Sequence, residues 1–393
     1  MKNKKNEDMP VGRLKRVGDF LPPPSELVQS EKNVNVTTEI IRDTNAFIAM
    51  RDEWNAVLAK SGINNPFLSH EWLSAWWKGY GHDKELFIVS FKDGERFIGF
   101  VPLMKYGTKL TGISIQAVGF LSNHWTRMDF ILCDKRQECL SLLCDLIKES
   151  REAFLLAQMD TLGENFSQFI ELLKKNCVAF HETPKPHAFI PLSGSWEDYF
   201  NSQSKNFRMD ARRKLKRLSQ EGEVTLRRSA PGDANIIDKL KTVATNSWQA
   251  NDHVNIISSV EGEQFYTEAV RELSAKGCLD ISILYAGERP AAYMVGLKYH
   301  ETYFAFDTAY DKTFHPYSPG LILHNLLIEQ LYKDGIRRLD LGYTASYKKR
   351  WSEEITLMTD IIIYPGNFKG RILSFIKQLK RKMNKYNRSG HEE

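Results

Sequence analysis

The chain has 393 residues, of which 42% are hydrophobic and 11% aromatic, and its formal net charge is +5. This length suits two or three domains, and the aromatic content excludes a mostly disordered polymer. No stretch approaches the roughly 18 consecutive apolar residues of a membrane-spanning helix, and the polar N-terminal segment lacks the apolar centre of a signal peptide. The 5 cysteines form no C-x-x-C pair, which argues against a disulfide framework or a zinc knuckle. A cytoplasmic location is therefore expected.

The small net charge hides a segregated distribution. Residues 201–228 hold nine Lys and Arg against three acidic residues, and residues 368–393 hold eight against two. Each segment therefore carries +6, and the remainder of the chain carries −7. Two local basic surfaces are not a general nucleic-acid coat, and no DNA partner is expected.

The first half of the chain is predicted to mix helices and strands. A basic, Pro-rich head at 1–33 comes first and is expected to be disordered. The elements that apolar spacing predicts after it are a strand at 35–42, a helix carrying 47–58, a helix at 70–79, a hairpin at 86–106, strands at 113–121 and 128–132, a helix at 137–153, a strand at 154–159, a helix at 164–175 and a strand near 178–182.

The second half repeats the order of strand, two helices and hairpin. Its predicted elements are a basic helix at 205–217, a strand at 224–229, helices at 233–249 and 262–276, a hairpin at 279–299, a strand at 302–310, a helix at 320–333, a strand at 337–341, a short helix near 346–351, a strand at 357–364 and a basic helical tail at 367–393.

The two predicted hairpins resemble each other in sequence. Residues 86–106 and 279–299 match at 7 of 21 positions without gaps, including Gly94-Glu95-Arg96 over Gly287-Glu288-Arg289. One such match can arise by chance because hairpins share turn chemistry, but the repeated flanking order favours a duplication. The sequence therefore predicts an α/β protein of two domains with one fold, at 34–182 and 183–366.

The loop before the helix at 320–333 is the stretch that suggests chemistry. It ends in Ser318-Pro319-Gly320, with Leu321 next in the helix. Backbone amides at a helix start, the helix dipole and the missing Cβ of Gly320 suit an anionic group such as a pyrophosphate. The same residues also make an ordinary N-cap and turn, so the interpretation as an anion site depends on the surrounding fold.

The order of elements in the second half resembles the GNAT acyltransferase fold. By this resemblance, the loop binds the pyrophosphate of acetyl-CoA or another acyl-CoA, through His315, Ser318, Pro319, Gly320 and Leu321. The loop of that family has the form Gln/Arg-x-x-Gly-x-Gly/Ala, and this sequence departs from it at His315 and Ser318. The implied fold is a mixed sheet of α+β type, present as a tandem repeat of two GNAT-like domains.

Three further motifs narrow the resemblance. Tyr-Ser-Pro-Gly at 317–320, Leu-Asp-Leu-Gly at 339–342 and Tyr-Lys-x-x-Trp at 347–351 follow the basic helix in order. This series is similar to the CelD/BcsL-type GNAT acetyltransferases, which are associated with bacterial cellulose and exopolysaccharide production. They are distant relatives of the FemAB aminoacyl transferases, which also carry two GNAT-like repeats. The resemblance covers about residues 40–365.

Acyl transfer from a thioester needs a base for the nucleophile, donors for the developing oxyanion and an acid for the departing thiolate. By resemblance to GNAT enzymes, Asp307 is the candidate base, Tyr347 the candidate acid and Asp340 the alternative carboxylate. The plainer interpretations are a turn or solvent-facing aspartate at 307 and a packing tyrosine at 347. His315 and His324 lie nine residues apart, which matches no metal spacing, so no metal is expected.

The basic helix has two interpretations. Lys205, Arg208 and Arg212 can contact a phosphorylated donor or acceptor, or the helix presents only a solvated charged face. Lys348 and Trp351, beside the candidate acid, are further candidates for substrate contact.

Three other features have open alternatives. The helical tail combines apolar and basic residues, so it can associate peripherally with the inner, anionic membrane face or pack on its own domain. Trp72, Trp76 and Trp77 offer a sugar-stacking platform or, as their helical spacing favours, belong to the core. The first half lacks a loop-to-helix anion site, and we expect it to shape an acceptor groove.

These features lead to a two-repeat acyltransferase that moves an acyl group from acyl-CoA to an amine or hydroxyl of a saccharide or cell-envelope precursor. Two alternatives stay open. One is a Fem-like transferase that draws its acyl group from aminoacyl-tRNA, which the basic helix permits. The other is a catalytically degenerate GNAT scaffold inside a polysaccharide synthesis complex.

Overall fold

A computed structural model describes residues 36–122, 126–230, 233, 235–247, 256–343, 348, 351 and 354–389, with the backbone alone at 369 and 380–389. Asn35–Glu393 forms one compact unit that contains both predicted halves. The predicted head at 1–33 and most of the short helix predicted near 346–351 lie outside the described residues.

The elements of the first half follow the predicted order. They are β1 (Val36–Ile41), α1 (Thr44–Ala49), α2 (Arg51–Ser61), α3 (His70–Tyr80), β2 (Glu85–Leu86), β3 (Ile88–Asp93), β4 (Arg96–Val101), β5 (Leu103–Leu110), β6 (Ile113–Phe120), β7 (Ile131–Leu132), α4 (Arg136–Glu149), β8 (Ala153–Asp160), α5 (Glu164–Lys175) and β9 (Phe180–Pro191). Side chains of Asp43 and Ser69 cap α1 and α3, which is why these helices begin where they do.

The second half adds one helix that the apolar pattern did not predict. Its elements are α6 (Trp196–Ser202), α7 (Lys205–Leu218), β10 (Val224–Arg228), α8 (Ile236–Thr245), α9 (Val260–Ser274), β11 (Leu279–Ala286), β12 (Arg289–Tyr299), β13 (Thr302–Tyr310), α10 (Pro319–Lys333), β14 (Arg338–Tyr343), β15 (Ile355–Ile363) and α11 (Phe368–Ser389). The unpredicted helix is α6, which begins at a capping box formed by Ser195 and Asp198.

The two hairpins share their turn geometry but differ in their second strand. Gly94 and Gly287 have φ of 62° and 61°, in the left-handed region that favours glycine at a tight hairpin turn. The hairpin of the second half is continuous from β11 to β12. In the first half, Pro102 separates β4 from β5, because proline cannot donate to a strand ladder. The predicted second strand is therefore two strands in two sheets.

The described strands form two sheets. One has the order β1-β3-β4-β7, and the other has the order β10-β11-β12-β13-β14-β9-β15-β8-β6-β5-β2. Each half contains a parallel pair, β6 with β8 and β13 with β14, and the chain between the paired strands includes a helix, α4 or α10. The mixed α/β fold predicted from the sequence is confirmed.

The larger sheet runs without a break through both halves. Strand β9 pairs with β14 on one side and with β15 on the other, and β15 in turn pairs with β8. The division proposed between residues 182 and 183 falls inside β9, so this strand belongs structurally to both halves. Helices α3 and α9 also join the halves, and they approach so closely that a Cβ on Gly79 would lie 2.7 Å from the Glu261 carbonyl oxygen.

The core between the halves is rich in aromatic rings. Trp72 of α3 contacts Phe265 of α9 and Phe306 of β13, with ring centroids 5.2 and 4.7 Å apart. Trp72, Trp76 and Trp77 are only 1%, 3% and 8% exposed. These tryptophans belong to the core, and the alternative of a sugar-stacking platform is wrong. No helix within the described ranges is long and apolar enough to cross a bilayer.

Candidate functional site

Strands β13 and β14 pair over a short stretch and then separate. Their parallel register comprises Thr302 with Arg338, Tyr303 with Leu339 and Phe304 with Asp340. Both strands continue, to Tyr310 and Tyr343, without further pairing to each other. On its other side, β13 has a register shift against β12, where Val295 faces Asp307 and Gly296 faces Ala305. This bulge at Phe306 bends β13 close to the point where its pairing with β14 ends.

Asp307 lies directly after the bulge and is held by two tyrosines. Its carboxylate accepts hydrogen bonds from the hydroxyls of Tyr266 on α9, at 2.6 Å, and Tyr293 on β12, at 3.0 Å. Burial raises the pKa of the Asp307 carboxyl, while the two tyrosine hydrogen bonds oppose this rise. The interpretation as a solvent-facing turn aspartate is wrong. A carboxylate with a raised pKa, just beyond the point where two strands stop pairing, is suited to accept a proton.

The start of α10 is open. Ser318 has φ of 54° and ψ of 58°, and its side chain makes no capping hydrogen bond, unlike an ordinary N-cap serine. The amides of Leu321 and Ile322 both donate to the Ser318 carbonyl, and Pro319 has no N–H. The Gly320 amide thus has no backbone acceptor in the described part of the chain, and a Cβ at Gly320 would meet no atom within 4 Å.

The basic helix α7 packs beside this helix start. Lys214 donates from Nζ to the Pro316 carbonyl at 2.8 Å, and the Arg217 guanidinium lies over the Tyr317 ring, 5.6 Å from its centroid. Sequence analysis missed these two residues, although they lie on the helix that it singled out. These two contacts bring positive charge to the residues just before the start of α10, where an anion would be stabilised.

The three predicted residues of α7 lie elsewhere. Arg208 donates to the carbonyl of Asn201 at 3.1 Å, and the Arg212 guanidinium lies over the Phe200 ring at 5.4 Å. Lys205 is exposed at the first position of the helix, nine residues before Lys214, which is about 14 Å along the axis. The structure does not bring these three side chains to the start of α10.

His315 and Trp351 make separate contacts near the helix start. The imidazole Nδ1 of His315 pairs with the Tyr310 hydroxyl at 3.1 Å, at the end of β13. Trp351 is 4% exposed and stacks on His324 at 4.5 Å, and His324 Nδ1 pairs with the Gly320 carbonyl at 2.8 Å. Burial lowers the pKa of His324 to about 4, so this imidazole is neutral near pH 7. Trp351 and His324 thus support the first turn of α10 from behind.

Asp340 and Lys348 are both engaged at the end of β14. The Asp340 carboxylate accepts from Arg127 Nη2 at 2.6 Å and from the Gly342 amide at 2.8 Å. Lys348 donates to the carbonyls of Leu341 and Tyr343. Burial lowers the pKa of Lys348 to about 8, and the nearby charge of Asp340 opposes this shift. Asp340 is also only 4% exposed, so it is less accessible to a substrate than the partly exposed Asp307.

The candidate acid Tyr347 lies outside the described residues, so its role stays a prediction. Across the residues that the structure does describe, no group of three or more His, Cys, Asp or Glu side chains is arranged to bind a metal ion.

Residues 205–350 match the family described as an acetyltransferase (GNAT) domain. No curated protein matches the chain. Among solved structures, FemX aligns with a TM-score of 0.53 at 11% identity, covering 84% of this chain and 97% of that chain. L-PGS from Bacillus licheniformis aligns with a TM-score of 0.52 at 14% identity, covering 83% of this chain and 95% of that chain. A third structure is the C-terminal domain of a protein named as a lysylphosphatidylglycerol synthetase, from Agrobacterium fabrum. It aligns with a TM-score of 0.51 at 11% identity, covering 84% of this chain and 95% of that chain.

At these identities the structural likeness shows the fold alone, but it extends over both halves of the chain. The family match adds the class: the second half carries a GNAT-type acyltransferase domain. Its helix start at Gly320, the basic face of α7 and Asp307 lie within the matched residues.

Proposed function

We propose that the protein transfers an acyl group from acyl-CoA to an amine or hydroxyl of a saccharide or cell-envelope precursor. The observation that carries this proposal is the open start of α10. Lys214 and Arg217 contact Pro316 and Tyr317, just before this helix start, and the segment follows the strand that bears Asp307.

The residues at the helix start fit the pyrophosphate of an acyl-CoA. Gly320 has neither a positive φ nor a packed neighbour that would require glycine, so the open space beside it is available to a ligand. Lys214 and Arg217 supply positive charge next to the positive end of the helix dipole. Acyl-CoA would contribute the reactive thioester.

Asp307 is the proposed general base. It would take the proton of the acceptor amine or hydroxyl, and its raised pKa makes it a stronger base than an exposed aspartate. Tyr266 and Tyr293 fix the direction of the carboxylate through their hydroxyls. Tyr347 remains the proposed donor of the proton that the departing thiolate needs.

The acceptor class rests on resemblance. The ordered motifs at 317–320, 339–342 and 347–351 are similar to the CelD/BcsL type, which supports a saccharide acceptor. One structural neighbour is named as a lysylphosphatidylglycerol synthetase. That name refers to a lipid product, which supports a cell-envelope acceptor more generally. Screening activated nucleotide sugars with labelled acetyl-CoA would separate these possibilities.

The donor can be tested by binding. We expect acetyl-CoA to raise the unfolding temperature and to release measurable heat in isothermal titration, because a ligand that binds the native state stabilises it by about 2.7 kcal/mol at a hundred times its Kd. Charged tRNA should produce no shift. A shift with charged tRNA and none with CoA would favour the Fem-like alternative, and the absence of both would favour a degenerate scaffold.

We also propose that α11 docks on an anionic membrane surface. Leu373, 1% exposed, packs this helix on the body of the protein. Another face of the helix exposes four apolar side chains spaced four, three and four residues apart. They are Phe368, Ile372, Phe375 and Leu379, with exposed fractions of 76%, 39%, 60% and 43%. The segment 368–393 carries +6. An exposed apolar stripe on a basic helix matches the interfacial helices that bind anionic bilayers.

Vesicle binding checks this prediction. The protein should sediment with phosphatidylglycerol-containing vesicles and much less with phosphatidylcholine vesicles. The double change Phe368→Ser and Phe375→Ser should weaken binding at least about tenfold, because each phenyl group buried in the interface contributes about 1.5–3 kcal/mol. Val260→Ser, at a residue 80% exposed on α9, is the matched control and should bind normally. Equal sedimentation of the double variant would contradict the proposal.

A further inference from the structure

A polar cavity lies between the two halves, at the starting ends of β13 and β14. Its volume is about 330 Å³, and Thr302 and Arg338 line it from the second half. The first half contributes charged and amide side chains from the loop before β7 and from α4, β8 and α5. They include Arg127, Asp129, Arg136, Asp160 and Asn165.

This cavity is separate from the proposed acyl-donor site. Its lining residues on β13 are Thr302 and Phe304, whereas the helix start follows the other end of that strand, and Asp307 lies three to five residues farther along, at about 10–16 Å. Aromatic rings fill the space between, with Phe67 against Phe304 at 5.8 Å and Trp72 against Phe306 at 4.7 Å. A ligand in this cavity would therefore not be at the reacting atoms.

Three guanidinium nitrogens on the cavity wall are buried without a hydrogen-bond partner among the described residues. They are Arg127 Nε, Arg136 Nε and Arg338 Nη2. Arg127 is already directed by Asp340 and Asp160, at 2.6 and 3.5 Å, and Arg338 lies over the Phe189 ring at 4.0 Å. A buried donor without an acceptor destabilises the fold. Several on one wall point to an acceptor from outside the described residues, and a guanidinium prefers an oxyanion.

Hydrogen-bond acceptors are also present on the same wall of the cavity. Asn165 is 4% exposed; its Nδ2 donates to Asp129 at 3.0 Å and to the Phe130 carbonyl at 2.7 Å, and its Oδ1 is buried without a partner. Asp129 is 3% exposed, and burial raises its pKa to about 7. These oxygens would accept hydrogen bonds from hydroxyl or amine groups of a ligand.

Of the three arginines at the cavity, Arg338 is the one without a direct carboxylate partner among the described residues. Arg136 pairs with Glu164, and Arg127 with Asp160 and Asp340. Arg338 has no carboxylate within salt-bridge distance in the part of the chain that is described, although the charges of Asp340, Asp160 and Glu354 act on it from farther away. Asp129 is only partly ionised near neutrality, because burial raises its pKa to about 7. Arg338 is therefore the guanidinium best placed to pair with a ligand oxyanion.

We propose that this cavity is a second binding site, for a small hydroxylated oxyanion of the size of a sugar phosphate or a sugar acid. The oxyanion would accept from Arg338 and Arg127, and the hydroxyl groups would donate to Asn165. The site does not depend on the acyl-donor site, since the two share no residue.

Isothermal titration tests the proposal with glucose 6-phosphate, glucuronate, inorganic phosphate and neutral glucose as probes. We expect glucose 6-phosphate, glucuronate or both to bind, which distinguishes a phosphate from a carboxylate ligand, and glucose to bind at least about tenfold more weakly. Arg338→Gln should reduce the affinity at least about tenfold. Arg337→Gln is the matched control, because that neighbouring side chain is 75% exposed and should leave binding unchanged.

Two further measurements keep the outcome decisive. Acetyl-CoA affinity of Arg338→Gln reports whether the variant is folded and tests the other site independently. Hydrogen exchange of the unaltered protein should show protection at 127–130 and around Arg338 when the probe is added. No binding by either anionic sugar, unchanged binding in Arg338→Gln, or phosphate binding as tightly as its sugar ester would overturn the proposal.

Discussion

Replacing Asp307 by Asn is expected to lower kcat for acyl transfer by about two to four orders of magnitude, because the amide cannot take a proton from the acceptor. The change keeps the shape of the side chain, and Tyr266 and Tyr293 can still donate to its oxygen. The Kd for acetyl-CoA should therefore stay the same. Steady-state rates with labelled acetyl-CoA, together with the Kd from titration, measure both quantities.

Tyr266 and Tyr293 provide a matched control, because changing one of them should alter the pH dependence of the reaction and leave the base in place. A hydrogen bond to a carboxylate favours its charged form, so Tyr266→Phe should raise the pKa of Asp307 further. Activity that needs the ionised carboxylate is lost as the pH falls through this pKa. The acid limb of kcat/KM should thus move to higher pH in Tyr266→Phe. A kcat unaffected by Asp307→Asn would remove Asp307 from the chemistry and leave Asp340 as the remaining candidate.

Replacing Gly320 by Trp is expected to weaken acetyl-CoA binding by at least about tenfold. The indole would project into the open space at the start of α10, where the pyrophosphate is proposed to bind. The fold should be unaffected, because a Cβ there meets no atom within 4 Å. Isothermal titration gives the Kd, and the unfolding temperature gives the stability.

Two controls make this result specific. Gly366 is another glycine with no atom within 4 Å of a Cβ, and Gly366→Trp should leave the Kd unchanged. On the basic helix, Lys214→Gln and Arg217→Gln should each weaken CoA binding, whereas Lys205→Gln, about 14 Å away along the axis, should not. Unaltered CoA affinity in Gly320→Trp would show that the donor binds elsewhere.

The apolar pattern predicted the local elements well. Predicted and observed bounds agree for α5 and β13, where turn residues flank a strong apolar period. The helix α6 was missed because its start depends on a capping box and not on apolar spacing. The pairing of β15 with β8 was also beyond the pattern, since periodicity within a strand says nothing about a partner some two hundred residues away.

In the candidate site, too, the contacts between residues distant in sequence could not be predicted. The sequence places Asp307 on the strand before the loop, but its partners come from α9 and β12, 41 and 14 residues away. Charge counting identified the basic helix, but it could not tell which side faces α10, so it selected Lys205, Arg208 and Arg212 instead of Lys214 and Arg217. The contact of Arg127 with Asp340, 213 residues apart, had no signal in a single sequence.

The continuous sheet has a consequence for how the chain can fold during synthesis. Strand β8 ends at Asp160, yet one of its neighbours, β15, ends at Ile363. At the usual 5–20 residues per second, the ribosome needs on the order of 10–40 s to supply that neighbour. Until then β8 has an unpaired edge that can pair with other chains. A truncated gene that stops at residue 350 would leave this edge permanently open, and its product should aggregate.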